Sequence, residues 1–324
     1  MSKQKIKIIF LDAASVNLGD IEVSRLKRQG DYQAYSQTLP EEIVERASEA
    51  EIIISNKVVL GQKVLSRLPH LKLIAVAATG YNNIAIKAAK KMNIAVANVA
   101  GYSTASVSEQ TLLFLLAFSH RFLEHHEACL SGLWSRSPFY AELGFPYLNL
   151  QGKILGILGY GSIGRQVARV ARALGMKVLL GKIPGRKYPN NKNRVSLKPL
   201  CEKADYISLH CPLSAHTKHL INSQTLSWMK RRPCLLNLAR GAIVDEEALL
   251  HALQKGWVSG YATDVLEQEP PPANHPFFAK EFKNKILFSP HIAWASRESR
   301  QKLVNEIAAN IEAFKRGIKR NRVC

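Results

Sequence analysis

The sequence predicts an α/β protein with two Rossmann-like domains, each a doubly wound parallel sheet. Three observations support this class. Short β-branched runs alternate with helical patterns along the chain, which is typical of parallel βα units. The 324 residues, 47% of them hydrophobic, are enough for two buried cores. A glycine-rich loop at residues 159–164 follows one predicted strand and precedes a helical pattern, the layout that opens a βα unit.

The first series of elements occupies roughly the first hundred residues. The runs "IKIIFL", "EIIIS", "LKLIAVAA" and "IAVANV" predict four strands near residues 6, 51, 71 and 94. The stretch "STASVSEQTLLFLLAFSHRF" predicts a long helix, and Ser106 and Glu109 have the spacing of a capping box at its start. We expect this helix to link two domains.

A second series begins at "KILGILGYGSIG" and continues through "MKVLLG", "DYISLH", "CLLNLA", "VSGYATDV" and "KILFS". These runs predict six strands. The stretch "SRQKLVNEIAANIEAFKRG" then predicts a closing helix, because its apolar residues recur every three or four positions. That stripe consists of Leu303, Val304, Ile307, Ile311 and Phe314.

Composition excludes several classes of protein. The longest apolar stretch, residues 112–118, is far shorter than the roughly 20 residues of a membrane span. The first residues do not have the layout of a signal peptide. The five cysteines form no CxxC pair and no metal-ligand spacing is seen, so we expect reduced thiols, a cytoplasmic protein and no metal.

The formal net charge is +20, which suits nucleic acid, an anionic membrane or anionic metabolites. The cations are spread along the chain, and the densest cluster is "KRGIKRNR" near the C-terminus. No stretch combines basic and aromatic residues as a platform for single-stranded nucleic acid would. We therefore expect small anionic ligands and no specific nucleic-acid partner.

The stretch "GYGSIG" places Gly159, Gly161 and Gly164 in a G-x-G-x-x-G pattern, with Ser162 and Ile163 between them. The first glycine permits a tight turn, the second lets a pyrophosphate approach, and the third allows close contact of helix and strand. The following helix would direct free N–H groups and a positive dipole end at the phosphates. The strand–loop–helix context predicts a dinucleotide site built by these five residues.

Three later segments carry reactive side chains just after predicted strands, where ligands of such sheets bind. Arg240 ends "NLAR", and Asp245 beyond it has the place of a helix N-cap. A surface arginine in a salt bridge is the alternative for Arg240. Glu269 lies in "ATDVLEQEPPP", and His291 lies in "FSPHIAWAS". A histidine paired with a carboxylate is a competent proton donor near neutral pH.

In this order the motifs resemble the D-isomer-specific 2-hydroxyacid dehydrogenases, closest to the glycerate dehydrogenase and hydroxypyruvate (glyoxylate) reductase group. The resemblance covers nearly the whole chain, through "SNKVVL", "LKLIAVAATGYNNI", "NVAGYSTASV", "GYGSIG", "HCPLSAHTKHLI", "NLARGAIVDE", "ATDVLEQEPPP" and "SPHIAWASRE". It implies reduction of hydroxypyruvate or glyoxylate to D-glycerate or glycolate, or the reverse. Hydride would come from nicotinamide and the proton from His291.

The resemblance also implies roles for particular residues. Arg240, Glu269 and His291 would be catalytic, and Arg240 would also bind substrate. Backbone amides at Thr79, Gly80 and Tyr81 would hold the substrate carboxylate. Asp264 would orient the nicotinamide carboxamide. Further residues would line the coenzyme cleft: Cys211, Pro212, Thr217, Leu238, Ala239 and Ala293.

The family further implies a nucleotide domain, residues 102–291, inserted in a substrate domain formed by residues 1–101 and 292–324. It also implies a homodimer joined through the nucleotide domain. The aromatic-rich segment "GLWSRSPFYAELGFPYL" is a plausible subunit contact. An intramolecular lid is the alternative for this segment.

Two predictions concern specificity. Asn56 and Lys57 follow a strand of the substrate domain, where they could meet the 3-hydroxyl of hydroxypyruvate; a solvated lysine is the alternative. NAD-specific sites place an acid about 20 residues after the glycines. Lys182 stands there instead, with Arg186 nearby, so we expect NADP(H) to be favoured. NAD(H) use, with a basic surface that discriminates nothing, is the alternative.

Other functions stay open at this stage. The chain could be another D-2-hydroxyacid dehydrogenase, of the phosphoglycerate or D-lactate type. It could also be a non-catalytic, dinucleotide-sensing protein like the corepressors of the same fold. The three catalytic positions that the resemblance implies all carry the expected residues, Arg240, Glu269 and His291, which favours an enzyme. Glu269 also disfavours a formate dehydrogenase, a group that resembles this one but lacks the acid partner of the histidine.

Overall fold

The structure, a computed structural model, describes residues 5–188 and 193–324. The chain divides into two compact units. One, here called the split unit, is Met1–Ser103 with Trp294–Cys324; the other, the continuous unit, is Thr104–Ala293. Each has its own parallel sheet, which confirms the predicted fold class.

The split unit is built on a five-stranded parallel sheet with the order β2-β1-β3-β4-β5. Its strands are β1 Lys7–Phe10, β2 Asp31–Ala34, β3 Ile52–Ser55, β4 Leu73–Val76 and β5 Ala95–Ala97. Its helices are α1 Ser24–Lys27, α2 Ile43–Ala47, α3 Gln62–Leu65 and α4 Ile86–Lys91, with the long closing helix α11, Arg297–Lys315, from the end of the chain.

Both faces of this sheet are covered because successive side chains of its strands point to opposite sides. On one face, Ile8 and Ile52 join a core with Leu303, Val304 and Ile307 of the closing helix. On the other face, residues of α2, α3 and α4 cover the sheet. The predicted apolar stripe of the closing helix is therefore confirmed as its packing face.

The continuous unit is built on a seven-stranded parallel sheet with the order β12-β11-β10-β9-β6-β7-β8. Its strands are β6 Ile154–Leu158, β7 Lys177–Gly181, β8 Arg194–Val195, β9 Tyr206–Leu209, β10 Cys234–Asn237, β11 Gly260–Thr263 and β12 Ile286–Phe288. Its helices are α5 Thr104–Ser119, α6 Phe122–Leu130, α7 Ser162–Ala173, α8 Leu197–Lys203, α9 Ser223–Ser227 and α10 Glu246–Gln254.

The strand order of the continuous unit reverses at β6. The chain runs outward from β6 to β7 and β8, then returns to place β9 on the other side of β6. A crevice forms at such a reversal, beyond the carboxyl ends of the two neighbouring strands, and ligands of doubly wound sheets bind there. The fold therefore predicts a ligand site at the loops that follow β6 and β9.

The structure differs from the prediction in three local features. It contains two strands that the sequence patterns did not predict, β2 and β8, and both lie at the edge of a sheet. The capping box predicted at Ser106 and Glu109 is wrong. Helix α5 begins at Thr104, and the Ser106 hydroxyl donates instead to the carbonyl of Ala293, at 2.5 Å.

Candidate active site

The chemistry-bearing residues of the continuous unit follow the carboxyl ends of its parallel strands. Gly159 follows β6, Arg240 lies beyond β10, Asp264 follows β11 and His291 lies beyond β12. The strands β10, β11 and β12 are direct neighbours. Because the carboxyl ends of parallel strands share one edge of a sheet, the loops that carry these residues lie along one edge.

The glycine loop between β6 and α7 has the geometry that its pattern predicts. Gly159 has φ +105°, and a Cβ there would lie 2.3 Å from the backbone carbon of His210. A Cβ on Gly164 would lie 2.1 Å from the Gly159 oxygen. Gly161, the N-cap of α7, has nothing within 4 Å of its Cβ position. The protein's own packing explains the first and third glycines, whereas open space over the second suits a close ligand.

The N-terminus of α7 adds to this fit. Ser162, Ile163 and Gly164 form the first turn of a 12-residue helix, and the N-cap makes no side-chain hydrogen bond to it. The first N–H groups of a helix lack intrahelical acceptors and bear partial positive charge. These residues therefore fit the pyrophosphate of a dinucleotide.

His210, across the crevice from the glycine loop, was missed in the sequence analysis. Burial lowers the pKa of His210 to about 4, so its ring is neutral near pH 7. Its Nε2 lies 2.8 Å from Ser208 Oγ, whereas its buried Nδ1 has no hydrogen-bond partner among the described residues. Orphaned buried polar atoms are rare, so this nitrogen also fits a polar group of a bound ligand. The available signal was its place directly after a buried strand.

The residues after His210 form a turn held by one hydroxyl. Thr217, 1% exposed, donates to the carbonyl of Pro212 at 2.7 Å and accepts the N–H of Ser214 at 2.8 Å. Cys211 is buried, and burial raises the pKa of its thiol to about 11. The thiol is therefore protonated near neutral pH and is not a nucleophile.

A group of cations lies at the carboxyl end of β7 and in β8. Lys182 and Arg186 are exposed. Arg194, which the sequence analysis missed, lies with its guanidinium 4.9 Å from the Tyr188 ring and 5.5 Å from the Tyr160 ring. Its Nη1 donates to the carbonyl of Gly181, whereas its buried Nε has no partner among the described residues.

Arg240 lies three residues beyond β10, and a buried asparagine fixes its backbone. Asn237, fully buried at the end of β10, donates to the Arg240 carbonyl at 3.0 Å and accepts the Ala239 N–H at 3.1 Å. The turn through Leu238 and Ala239 is thereby held. The Arg240 guanidinium donates to the Ala239 carbonyl, and in the described part of the chain it forms no salt bridge. The surface salt bridge that was the alternative for Arg240 is absent there.

Glu269 and His291 form a close side-chain pair in the site. Glu269 Oε2 lies 2.6 Å from His291 Nδ1, and Glu269 Oε1 accepts the Leu266 N–H at 3.0 Å. The predicted pairing of these two side chains is present in the structure. With Nδ1 directed at the carboxylate, Nε2 is the ring nitrogen that can exchange a proton with a substrate.

Asp264 fixes the turn that presents His291. Its two carboxylate oxygens accept the Ile292 N–H at 2.9 Å, the Ala293 N–H at 3.0 Å and the Ser289 hydroxyl. Burial raises the pKa of Asp264, and these hydrogen bonds oppose the rise. His291 has φ +54°, which is uncommon for a residue with a side chain, so the turn is held by its surroundings.

In the split unit, a buried carboxylate holds the segment that carries Lys57. Asp12, 6% exposed, accepts the backbone N–H groups of Asn56 and Lys57, the latter at 2.6 Å. A cavity of about 550 Å³ lies beside Lys57. The Asn56 side chain, predicted to meet substrate, is buried and donates to Ser15 Oγ.

The segment after β4 carries the residues predicted to hold a carboxylate. The Thr79 hydroxyl donates to the Val99 carbonyl at 2.9 Å, and the Thr79 carbonyl accepts the Asn98 amide at 2.7 Å. Gly80 is partly buried, and Tyr81 is 38% exposed. The two bonds hold the backbone of the segment at Thr79.

The described residues contain neither a membrane-spanning helix nor a cluster of metal-ligating side chains. No helix in residues 5–188 and 193–324 is long and apolar enough to span a membrane. Over the same residues, no group of three or more histidine, cysteine, aspartate or glutamate side chains is arranged to hold a metal ion.

The continuous unit and its glycine loop define a nucleotide-binding α/β protein, and comparison with known proteins narrows this class. The sequence model of one protein family, described as D-isomer specific 2-hydroxyacid dehydrogenase, NAD binding domain, matches residues 112–293. A glycerate dehydrogenase of Methylorubrum extorquens is 38% identical over 316 residues, which cover 97% of this chain and 98% of that protein. A hydroxypyruvate reductase of Blautia hydrogenotrophica is 35% identical, covering 96% and 98%.

A solved structure has a similar fold. An acyclic imino acid reductase (Bsp5), in complex with NADPH and D-Arg, matches 98% of this chain and 100% of its own with a TM-score of 0.86 and 28% identity. The chain belongs to the D-isomer specific 2-hydroxyacid dehydrogenase family and is an oxidoreductase of that family. The predicted resemblance and the predicted enzyme class are confirmed.

Proposed function

We propose that this protein reduces hydroxypyruvate or glyoxylate to D-glycerate or glycolate, with NADPH favoured over NADH. The observation that carries the proposal is the 2.6 Å contact between Glu269 Oε2 and His291 Nδ1. It supplies an oriented proton donor at the carboxyl edge of a sheet whose glycine loop fits a dinucleotide. Relatives named glycerate dehydrogenase and hydroxypyruvate reductase support the choice of substrate.

A nicotinamide coenzyme, when bound, supplies the hydride. The protein's residues handle the proton and the charges. His291 donates a proton from Nε2 to the oxygen of the substrate ketone as that oxygen becomes an alkoxide. Glu269 keeps the imidazole oriented through Nδ1 and places a carboxylate beside the ring. Arg240 binds the substrate carboxylate and polarises the neighbouring carbonyl with its planar fork of donors.

Coenzyme contacts are proposed for the crevice residues. The loop at Gly159, Gly161 and Gly164, with Ser162 and Ile163, would bind the pyrophosphate. The turns that include Cys211, Pro212, Thr217, Leu238, Ala239 and Ala293 would line the cleft. Asp264 would orient the nicotinamide carboxamide with the lone pairs that its three present hydrogen bonds leave unused.

The preference for NADPH rests on charge at the end of β7. Lys182 and Arg186 are exposed there, and Arg194 adds a third cation. In the described part of the chain none of the three forms an ion pair with a carboxylate. An unneutralised cation can attract the 2′-phosphate of NADPH, and the sequence of residues 177–195 contains no acid that would repel that phosphate.

Substrate contacts are proposed for the split unit, which would be the substrate domain. The backbone at Thr79, Gly80 and Tyr81 would bind the carboxylate. Lys57 would meet the 3-hydroxyl of hydroxypyruvate, since Asp12 fixes its backbone and a cavity lies beside it. The alternative, a merely solvated Lys57, predicts no difference between substrates with and without that hydroxyl.

We also propose a homodimer of a cytoplasmic enzyme. The segment at residues 132–148 exposes large apolar side chains, among them Tyr140 at 95% and Leu143 at 82%. Leu113 of α5 and Phe122 of α6 are exposed as well. A second copy of the chain would bury these exposed apolar side chains. The five cysteines form no disulfide, which suits a reducing compartment.

Coenzyme oxidation by the purified protein tests this function. NADPH or NADH would be supplied with hydroxypyruvate, glyoxylate, pyruvate and phosphohydroxypyruvate, and kcat/KM would be measured for each pair. We expect hydroxypyruvate or glyoxylate to give the highest value. A clear preference for pyruvate or for phosphohydroxypyruvate would assign a D-lactate or phosphoglycerate type instead. No turnover with any oxo acid, together with tight coenzyme binding, would favour a dinucleotide sensor.

A further inference from the structure

We propose that Glu246 and His275 are positioning residues that aim the Glu269–His291 pair. The proposal rests on the proposed function, in which His291 donates the proton. Both residues lie outside the loop ends that carry Arg240, Glu269 and His291, and neither was selected in the sequence analysis. Four observations connect them to the pair.

Glu246 receives two hydrogen bonds from the loop that carries Glu269. It is the first residue of α10, following the N-cap Asp245, whose side chain accepts the Ala248 N–H. Glu246 Oε1 accepts the backbone N–H of Glu267 at 2.9 Å, and Oε2 lies 3.1 Å from His275 Nε2. The side chains of Glu246 and His275 are 18% and 8% exposed, so water competes weakly for these bonds.

The His275 tautomer follows from its second contact. The N–H of Phe277 donates to His275 Nδ1 at 3.3 Å, so Nδ1 is the unprotonated nitrogen. Nε2 therefore carries a hydrogen and donates it to Glu246. His275 is fixed from two sides, and through Glu246 it ties residues 267 and 275 to the start of α10.

The adjoining residue carries the effect to the catalytic carboxylate. Leu266, next to Glu267, donates its backbone N–H to Glu269 Oε1 at 3.0 Å, while Oε2 contacts His291. A shift of residues 266 and 267 would move this donor. The Glu269 carboxylate would then turn away from its present orientation toward the imidazole.

A close backbone contact couples the same segment to Arg240. A Cβ on Gly241 would lie 1.9 Å from the carbonyl carbon of Leu266 and 2.3 Å from the Glu267 nitrogen. The two loops therefore touch backbone to backbone, directly beside Arg240. Glu246 and His275 hold residues 266 and 267 in this contact. The same two side chains therefore help to position both Arg240 and Glu269.

The test uses the full chain without coenzyme or substrate. The side-chain resonances of His291, assigned by their loss in His291→Gln, would be followed by NMR as a function of pH. In Glu246→Gln, the side chain keeps one oxygen acceptor for two donors, the Glu267 N–H and the His275 Nε2–H. Its NH2 group must therefore face one of these N–H groups, and we expect the loop to shift. We expect the titration midpoint of His291 to fall by about half a pH unit, roughly a threefold change in protonation equilibrium.

Glu247→Gln is the matched control. Glu247 is the next residue of the same helix, is exposed, and its substitution removes the same charge. A midpoint that falls equally in both variants, or in neither, would overturn the proposal, because the effect would then be general electrostatics or absent.

A pair of variants at His275 keeps the number of carboxylates constant. His275→Leu removes the donor to Glu246 and should lower the His291 midpoint, whereas His275→Gln restores an N–H donor and should recover much of it. If both variants lose thermal stability yet leave the midpoint unchanged, the pair is a structural brace only and the proposal is wrong.

The pH dependence of activity tests the same proposal independently. The alkaline limb of the kcat/KM profile for ketone reduction should move to lower pH in Glu246→Gln, with the coenzyme Kd unchanged. An unmoved limb in an active variant would contradict the proposal. If the wild-type protein turns over no oxo acid, the proposed function fails, and the NMR titration still decides whether Glu246 and His275 position His291.

Discussion

Charged side chains at the two ends of the continuous unit's sheet differ in whether the protein holds them by hydrogen bonds. Beyond β11 and β12, the charged side chains are held by the protein: Asp264 accepts three hydrogen bonds, and Glu269 contacts both His291 and a backbone N–H. Beyond β7, Lys182 and Arg186 are exposed, and the cation of Arg194 lies against tyrosine rings without a carboxylate.

We call the β11–β12 end the fixed end, because hydrogen bonds hold its charged side chains, and the β7–β8 end the open end, because Lys182 and Arg186 are exposed there. Proton transfer needs fixed geometry, because a general acid must lie within hydrogen-bond reach of the atom it protonates. Selection of a coenzyme phosphate needs unneutralised charge, because a cation already paired with a carboxylate attracts an anion less. The β11–β12 end meets the first requirement, and the β7–β8 end meets the second.

The largest effect is expected at the fixed end. His291→Ala removes the proposed proton donor and should lower kcat for ketone reduction by about 10²- to 10⁴-fold, the usual contribution of a general acid. Coenzyme Kd, measured by fluorescence titration, should stay near the wild-type value. Ordinary turnover in this variant would remove His291 from the mechanism.

Arg240→Lys should have the next largest effect. The substitution keeps one charge but loses the two-pronged contact with the carboxylate and the carbonyl. We expect kcat/KM to fall about 10- to 100-fold, corresponding to the roughly 1.5–3 kcal/mol of a hydrogen bond to a charged group. Steady-state kinetics with a rise in KM and a fall in kcat would agree; wild-type values would make Arg240 a structural cation.

Glu269→Gln tests whether the fixed pair works through charge. The imidazolium would lose its charged partner, so activity that needs the protonated ring should be lost at lower pH. We expect the alkaline limb of the reduction profile to shift down by about one pH unit. Measurement of kcat/KM from pH 5 to 10 or so, in both proteins, checks this. A superimposable profile would show that the pair's charge is unimportant.

Lys182→Asp tests the open end. An acid at this position should repel the 2′-phosphate, and we expect the ratio of kcat/KM for NADPH to that for NADH to fall about tenfold, since exposed charge pairs contribute roughly 1 kcal/mol each. Lys187→Asp, in the same exposed loop, is a matched control for net charge. A wild-type preference for NADH, or an unchanged ratio in Lys182→Asp, would refute the proposed role.

The smallest effect is expected outside both ends, in the split unit. Lys57→Ala should lower kcat/KM for hydroxypyruvate about two- to tenfold more than for glyoxylate, which lacks the 3-hydroxyl, because one hydrogen bond is lost. Lys63→Ala, a lysine in α3, serves as the control. Equal losses with both substrates would place Lys57 outside the substrate site.

Sequence patterns predicted the central strands and the edge strands β5 and β12, but missed the edge strands β2 and β8. The missed strands, β2 with sequence DYQA and β8 with only two residues, have largely polar or partly exposed side chains. An edge strand packs against fewer neighbours, so its sequence need not be a hydrophobic run. The central strands β9 and β10 are buried at every residue, and their runs were recognised.

The same contrast holds for the site. Residues within motifs, such as Arg240, Glu269 and His291, could be selected because strand ends present them together. Asn237 and Arg194 could not, because their roles depend on contacts with residues distant in sequence or on loop geometry. The Ser106 capping box failed for this reason: its hydroxyl bonds to Ala293, 187 residues along the chain, and no local spacing predicts that partner.

The division of the split unit has a consequence for synthesis of the protein. Its five strands leave the ribosome first, whereas Leu303, Val304 and Ile307, which cover one sheet face, come last. At ordinary elongation rates the intervening unit takes roughly 10 to 40 seconds to make. Throughout that interval Ile8, Ile52 and Leu73 lack their helix partner. The nascent chain therefore presents an apolar surface that a chaperone can bind, and a chain ended prematurely at residue 293 would keep that surface and aggregate through it.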